Sequence, residues 1–214
     1  MQIMTEQRRT GASAGAKAGG DNPWTTLDSR TRYENPWIRV VHDRVLTPAG
    51  SPGIYGVVQF LNRAVGVVPV DADGATWLVG QFRYPLGRYS WEIPEGGAPE
   101  GQPPTVAALR ELAEETGLVA ENLLEIGRID LSNSVTDEVG FAYAAWGLRA
   151  GDPMPEETER LEVRRLPLGE ALAMVLDGRI TDSLSQIALM RLRLLADAGT
   201  LPPGLAAAVA KGLA

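Results

Sequence analysis

Glu111, Glu114 and Glu115 stand in the stretch RELAEETGL, three and four residues apart. On a helix those spacings bring side chains to one surface, with Cβ atoms about 5–6 Å apart. Like charges so placed each cost a helix roughly 0.2–0.5 kcal/mol, and only Arg110 stands beside them. A stripe of carboxylate oxygens is the donor set that a hard cation such as Mg2+ prefers, and Mg2+ commonly bridges a carboxylate to a substrate phosphate. A cation there would cancel the repulsion and equip the helix for phosphate chemistry. An acidic, solvated helix face is the competing reading of these three residues alone.

The helix that carries them is well punctuated. Pro103 and Pro104 suit its first turn, where a missing N–H costs nothing, and Gly117 suits the residue just past its end. At about 100° per residue, Val106, Leu109, Leu112 and Ala113 share an apolar face, while Glu111 and Glu115 line up on another. Ala107 and Ala108 beside the glutamates leave room for something to approach. Ahead of the helix, Ser90-Trp91-Glu92-Ile93 reads as a short strand running into Gly96 and Gly97.

AVGVVPV (64–70) and TWLVGQF (76–82), joined by a turn at Asp71-Ala72-Asp73-Gly74, predict a buried hairpin. Further strands are expected over 123–129, 139–148 and 161–166. Pro167 opens a helix that Gly178 closes. Thr181-Asp182-Ser183 caps a longer one, whose stripe runs through Leu184, Ile187, Ala188, Met190, Arg191, Leu194 and Leu195. Strands and helices mix without regular βαβ alternation, so a mixed α/β (α+β) fold is expected rather than a doubly wound parallel sheet.

Composition sets the outer bounds. A chain of 214 residues with 44% apolar and 22% charged residues fits one full globular domain with a small appendage. The first residues, MQIMTEQRRTGASAGAKAGG, are small and polar and lack an apolar signal core, so 1–21 reads as a disordered leader. Residues 22–60 read as a small N-terminal β domain of two or three strands, 61–200 as the main domain, and 201–214 as a C-terminal tail helix. A net charge of −7 argues against a nucleic-acid polymer as partner, since that needs a concentrated basic face. With no cysteine, disulfides and thiolate chemistry are excluded, and a reducing cytoplasm is the natural home. His42 is the only histidine, which rules out a multi-histidine metal site. No apolar run reaches the length of a membrane span.

Taken together, Gly96 and Arg110-Glu111-Leu112-Ala113-Glu114-Glu115-Thr116-Gly117-Leu118 closely resemble the Nudix box, G-x5-E-x7-R-E-U-x-E-E-x-G-U with U aliphatic. The one departure is Gln102, where the family has its first glutamate. QFRYPLGRYSWEIPEGG (81–97), VTDEVGFAYAAWGL (135–148) and residues 156–192 resemble the ADP-ribose and nucleoside diphosphate sugar pyrophosphatases of that family. The resemblance implies a mixed sheet sandwiched between helices, with a small β domain contributing to a homodimer.

It also implies roles. Glu111 and Glu115 match the principal metal-binding glutamates, Glu114 supports them, and the main-chain carbonyl of Glu95 completes the coordination of Mg2+, with Mn2+ as a substitute. Gly96 and Gln102 belong to the same box, and Arg110 orients a box glutamate. Glu157 and Glu159, on an acidic loop, match glutamates that act as general base or extra ligand, and Glu115 is counted with them as catalytic. Arg83 and Arg88 are candidates for substrate phosphates. Trp24, Tyr33 and Trp37 are candidates for stacking a nucleobase, with plain packing as the alternative. The implied reaction is Mg-dependent hydrolysis of a nucleoside diphosphate sugar of the ADP-ribose or GDP-mannose class. Competing readings are a non-catalytic nucleotide-sugar sensor and a hydrolase of dinucleoside polyphosphates or 8-oxo-nucleotides.

Overall fold

The computed structural model describes residues 2–3, 21–151 and 161–214. Nearly all of the expected leader therefore lies outside the described residues, as do Glu157 and Glu159. In chain order the elements begin with β1 (Gln2–Ile3), β2 (Thr25–Glu34), β3 (Ile38–Leu46), β4 (Pro52–Phe60), β5 (Asn62–Pro69) and β6 (Ala75–Arg83). A short 3-10 turn (Tyr84–Leu86) leads to β7 (Arg88–Glu92), β8 (Glu95–Pro99) and α1 (Pro104–Thr116). Then follow β9 (Leu118–Asp130), β10 (Val139–Ala150), β11 (Glu162–Pro167), α2 (Leu168–Leu176), α3 (Ser183–Asp197) and α4 (Pro203–Gly212). The mixed α/β class expected from the sequence is the one observed.

The chain forms two compact units. The smaller joins residues 21–62 with Asp130–Glu138. Its core element is an antiparallel sheet, β2-β3-β4, in which Val41 and Val45 turn inward at alternate positions of β3. Asn35 makes the first hairpin by accepting the N–H groups of Trp37 and Ile38 on its side chain. The distant segment Asp130–Glu138 closes the far edge. Val58 N–H donates to Val135 O at 2.9 Å, Phe60 N–H to the Asp137 carboxylate at 2.8 Å, and Tyr55 Oη to Ser134 O at 2.8 Å.

The larger unit comprises Arg63–Ile129 and Val139–Ala214, with the short β1. Five strands lie in the order β1-β9-β10-β5-β8, with β10 and β5 parallel, and β11-β6-β7 form a separate antiparallel sheet. The expected hairpin of β5 with β6 does not form. Val65, Val67, Val68 and Val70 are all buried, so β5 is a central strand with both faces covered. Its two edges take β10 and β8 as partners, which sends β6 to β7 and β11.

Period-two alternation on β5 builds two layers. Val65 and Val67 pack with Ala107, Ala108 and Leu112 of α1, whereas Val68 and Val70 pack with Leu184, Leu189 and Leu205 of α3 and α4. The sheet is thus sandwiched between helices.

Two helix faces differ from expectation. Ala107 and Ala108 leave no room beside the glutamates, because they are fully buried where α1 lies close on the sheet, and Val106 faces solvent instead. On α3 the buried stripe is Leu184, Ala188, Leu189 and Leu192, with Met190 and Leu194 exposed. In both cases the pattern holds but is rotated, since a small or polar residue can lie inward where two backbones approach closely. Among the described residues no helix is long and apolar enough to cross a membrane.

Candidate active site

The acidic helix is held by the chain that enters it. After β7 the buried Ile93 donates its N–H to Ser185 Oγ at 3.0 Å, and Pro94 O accepts from Val67 N–H at 2.9 Å. Those bonds fix the turn, so the N–H groups that follow have set directions. Glu95 N–H donates to Glu115 Oε2 at 2.9 Å, and Gly97 N–H to Glu111 Oε1 at 3.2 Å. Arg110 bridges the rest. Its Nη2 reaches Glu111 Oε1 at 2.7 Å and Gly97 O at 2.8 Å, while Nη1 reaches Glu114 Oε2 at 2.7 Å.

The Arg110 guanidinium and two main-chain amides therefore offset part of the repulsion among the three glutamates. Gly96 makes the approach possible, because a Cβ there would lie 2.2 Å from Glu111 Cδ. Burial raises the pKa of the Glu111 carboxyl, and Glu114 adds to it, while Arg110 and the Gly97 N–H pull the other way.

A second acidic group lies next to the first. The carboxylate oxygens of Glu92, Glu95 and Asp182 come within 4.8 Å of one another. Glu92 is a buried charge at the end of β7, and Asp182 caps α3 by accepting Ser185 N–H at 2.7 Å. Arg83 sits among them. Its Nη2 binds Glu92 Oε2 at 2.6 Å and Glu95 Oε1 at 3.0 Å, and its Nε adds a further bond to Glu92 at 3.0 Å.

Burial opposes the charge on Arg83, but the hydrogen bond and charge of Glu92, with Glu95, outweigh it and hold its pKa above the ordinary value. For Glu95, burial and then the charges of Asp182 and Glu92 raise the carboxyl well above the usual range, against the pull of Arg83. Glu95 Oε2 is buried without a hydrogen-bond partner. Beside this group opens a cavity of about 420 Å³, lined also by Arg88, Leu86 and Thr181.

A scan of the sequence against family models matches a NUDIX domain over residues 60–184, more than half of the chain. The chain belongs to the Nudix family. Ahead of its Nudix domain, residues 24–58 match the model described as the nucleoside diphosphate sugar hydrolase N-terminal domain. An ADP-ribose pyrophosphatase of Mycobacterium tuberculosis is 32% identical over 168 residues, spanning 77% of this chain and 81% of the relative. An ADP-ribose pyrophosphatase of Bacillus subtilis is 36% identical, spanning 61% of this chain and 72% of the relative. A methanol dehydrogenase activator of Bacillus methanolicus is 31% identical, spanning 79% and 92%. The solved structure of an ADP compounds hydrolase superposes with a TM-score of 0.75 over 86% of this chain and all of that one, at 22% identity, and so shares the fold.

Against that family frame, the Nudix-box residues Gly96, Arg110, Glu111, Glu114 and Glu115 converge with Glu95 in the larger unit. Arg83 and Arg88 join them there. Arg83 is partly buried among carboxylates, whereas Arg88 stays exposed at the start of β7, where it donates to Thr181 Oγ1 at 3.0 Å. Gln102 lies at the turn before α1, and its Oε1 is buried without a hydrogen-bond partner. Trp24, Tyr33 and Trp37 belong to the smaller unit, where all three are exposed. Trp24 meets Tyr55 edge-on at 5.5 Å.

Glu92 and Asp182 were not legible as site residues. A buried glutamate in the apolar run SWEI was the available signal for the first. The second was hidden by its correct reading as a helix cap.

Proposed function

We propose that this Nudix protein hydrolyses the pyrophosphate linkage of a nucleoside diphosphate sugar, of the ADP-ribose or GDP-mannose class, to a nucleoside monophosphate and a sugar phosphate. One observation carries the reading. The Glu95 main chain holds the box glutamate Glu115, while the Glu95 side chain lines a cavity that also contains Arg83. Carboxylates for a cation and a guanidinium for phosphate therefore meet at one residue. The names of the relatives and of the N-terminal family model support the substrate class.

The donor set fits a hard divalent cation: Glu111, Glu115 and the Glu95 carbonyl are all oxygen donors, and the buried Glu95 Oε2 has no hydrogen-bond donor. When bound, Mg2+, with Mn2+ as a substitute, supplies charge neutralisation of the diester and acidifies a water molecule. The chain's own groups do the rest. Arg110 and the Gly97 N–H orient Glu111, and the Glu95 N–H orients Glu115. Arg83 has Nε and Nη2 committed to carboxylates, which leaves Nη1 to a phosphate oxygen. The attacking water forms the new P–O bond, the bridging P–O bond breaks, and a carboxylate takes the proton. Glu157 and Glu159 are the residues we assign to that last step.

The smaller unit belongs to the same reading as a homodimerisation and base-binding domain (residues 22–60). Trp37, Tyr33 and Ile54 are 65%, 55% and 71% exposed, apolar side chains of the kind that a second copy or a base could cover. A main domain over 61–200 and a tail helix over 201–214 belong to the same proposal. The disordered-leader reading of 1–21 does not hold at Gln2–Ile3, which pair with β9, and Asp130–Glu138 adds to the smaller unit. A cysteine-free chain suits the cytoplasm. The test is a screen of nucleotide sugars and dinucleotides with Mg2+, with phosphate release measured after phosphatase treatment. Release from nucleotide sugars that EDTA abolishes is expected. Turnover that persists in excess EDTA would overturn the metal-assisted mechanism. Sedimentation equilibrium checks the dimer.

A further inference from the structure

The cavity beside the Nudix box is unlike the box itself in what it offers a ligand. Three carboxylates, Glu92, Glu95 and Asp182, face two guanidiniums, Arg83 and Arg88, within about 420 Å³. That volume falls in the range of small-molecule sites, roughly 300–1,000 Å³.

Its chemistry narrows the occupant. A nucleobase wants an aromatic face, and among the described residues no aromatic side chain lines the cavity, whose apolar wall is Leu86 and Pro85. Arg83 Nη1 can meet the substrate's phosphate at this cavity, as proposed above, but a phosphate alone would also face three carboxylates, so the rest of the cavity calls for a different group. A metal ion would have to share those carboxylates with Arg83, whose guanidinium already holds Glu92 and Glu95 by four hydrogen-bonding contacts at 2.6–3.0 Å. Hydroxyl groups suit every wall. They donate to carboxylates, accept from guanidinium and from Thr181 or Ser183 hydroxyls, and turn a C–H face to Leu86.

We infer that this cavity is the subsite for the hydroxyl-rich sugar half of the substrate, with Asp182 as the residue that sets which sugar is accepted. The inference rests on the proposed hydrolysis of nucleoside diphosphate sugars. Asp182 is placed for the role by α3, which it caps through Ser185 N–H, so its carboxylate has little freedom to turn away. Arg88 is steadied from the same turn by Thr181 Oγ1 at 3.0 Å. One loop, Thr181 to Ser183, thus supplies the acceptor and braces a donor.

Asp182→Asn keeps the helix cap, since asparagine caps as well as aspartate, but removes the charge. Two measurements decide. The first is the ratio of kcat/KM for ADP-ribose to that for the methyl ester of ADP, which shares the nucleotide and lacks the sugar. Loss of a charge-assisted hydrogen bond to a hydroxyl should lower that ratio about tenfold or more in Asp182→Asn. The second is calorimetric binding of ribose 5-phosphate, glucose 1-phosphate and inorganic phosphate, which requires no turnover. Wild-type protein should bind at least one sugar phosphate about tenfold more tightly than inorganic phosphate, and the variant should lose that margin.

Equal binding of sugar phosphate and inorganic phosphate by the wild type would overturn the inference, whatever the enzyme hydrolyses. So would an unchanged kcat/KM ratio. A raised Mg2+ requirement that is the same for both esters would also overturn it, and would make the cavity a cation site. Thr181→Val, which removes the brace on Arg88 and leaves the cap in place, should reduce the same margin in the same direction. If no nucleotide sugar is turned over by the wild type, the proposed reaction fails while the binding measurement still decides the subsite.

Discussion

The main-chain N–H of Glu95 donates to the carboxylate of Glu115 at 2.9 Å, across twenty residues of sequence. Glu115 lies on the buried side of α1 and is only 8% exposed, so this bond satisfies a charge that would otherwise be costly to bury. It also couples the turn at Glu95 to the position of the helix carboxylate.

Glu115→Gln keeps an acceptor for that N–H and nearly the same volume. Stability should change by less than about 1 kcal/mol, while kcat falls by about two orders of magnitude or more, because the removed charge is one of those proposed to hold the cation against the diester. Thermal melting and a pyrophosphatase assay separate the two effects. Turnover within a few-fold of wild type would remove Glu115 from the principal ligands.

Gly96→Ala should be nearly as stable as the wild type and yet poorly active. The added Cβ would sit 2.2 Å from Glu111 Cδ, and what gives way is the flexible carboxylate rather than backbone. A displacement of about 1 Å at a reacting group can cost roughly a hundredfold in rate. A drop in melting temperature with activity intact would show that the glycine serves packing alone.

The raised Glu95 carboxyl gives stability a definite pH slope. A pKa raised on folding contributes stability that is fully present below the unfolded value, 4.5 in the ordinary case, and is lost as pH rises through the folded value. Metal-free wild type minus Glu95→Gln should therefore lose relative stability from mildly acid pH upward. Denaturant titrations of both proteins across that window check it. A difference that is flat with pH would mean Glu95 stays ionised in the folded protein.

Gln102→Glu restores the residue of the Nudix box. It should lower the Mg2+ concentration for half-maximal rate with a smaller effect on KM. Because Gln102 Oε1 is buried and unpartnered, a carboxylate there should also destabilise the metal-free protein by about 1–3 kcal/mol, which Mg2+ restores by mass action. An unchanged Mg2+ requirement would place position 102 out of reach of the ions.

Much of the site was legible because its signal is local. Gly96 to Leu118 carries its chemistry in spacing, and Pro104 and Gly117 mark the helix that holds it. Arg110 was readable as an orienting residue, though not that it and two main-chain amides would together offset the repulsion among the glutamates. Contacts between distant segments left weaker traces. Glu92 and Asp182 lie ninety residues apart and meet only because Ile93 bonds to Ser185, a pairing that no periodicity encodes. The alanines of α1 misled for a related reason, since a small side chain marks close approach without saying whether backbone or ligand approaches.

Tyr55, Val58 and Phe60 all bond to Ser134–Asp137, so the small sheet borrows its outer edge from a segment nearly eighty residues downstream. A module closed in this way is stitched rather than strung. The chain leaves it and returns, and a single cut near residue 60 would yield an N-terminal fragment with β4 laid bare, a surface prone to pairing with whatever strand is near. Recombination between relatives would likewise have to exchange two stretches together, so the module and its catalytic neighbour are inherited as one.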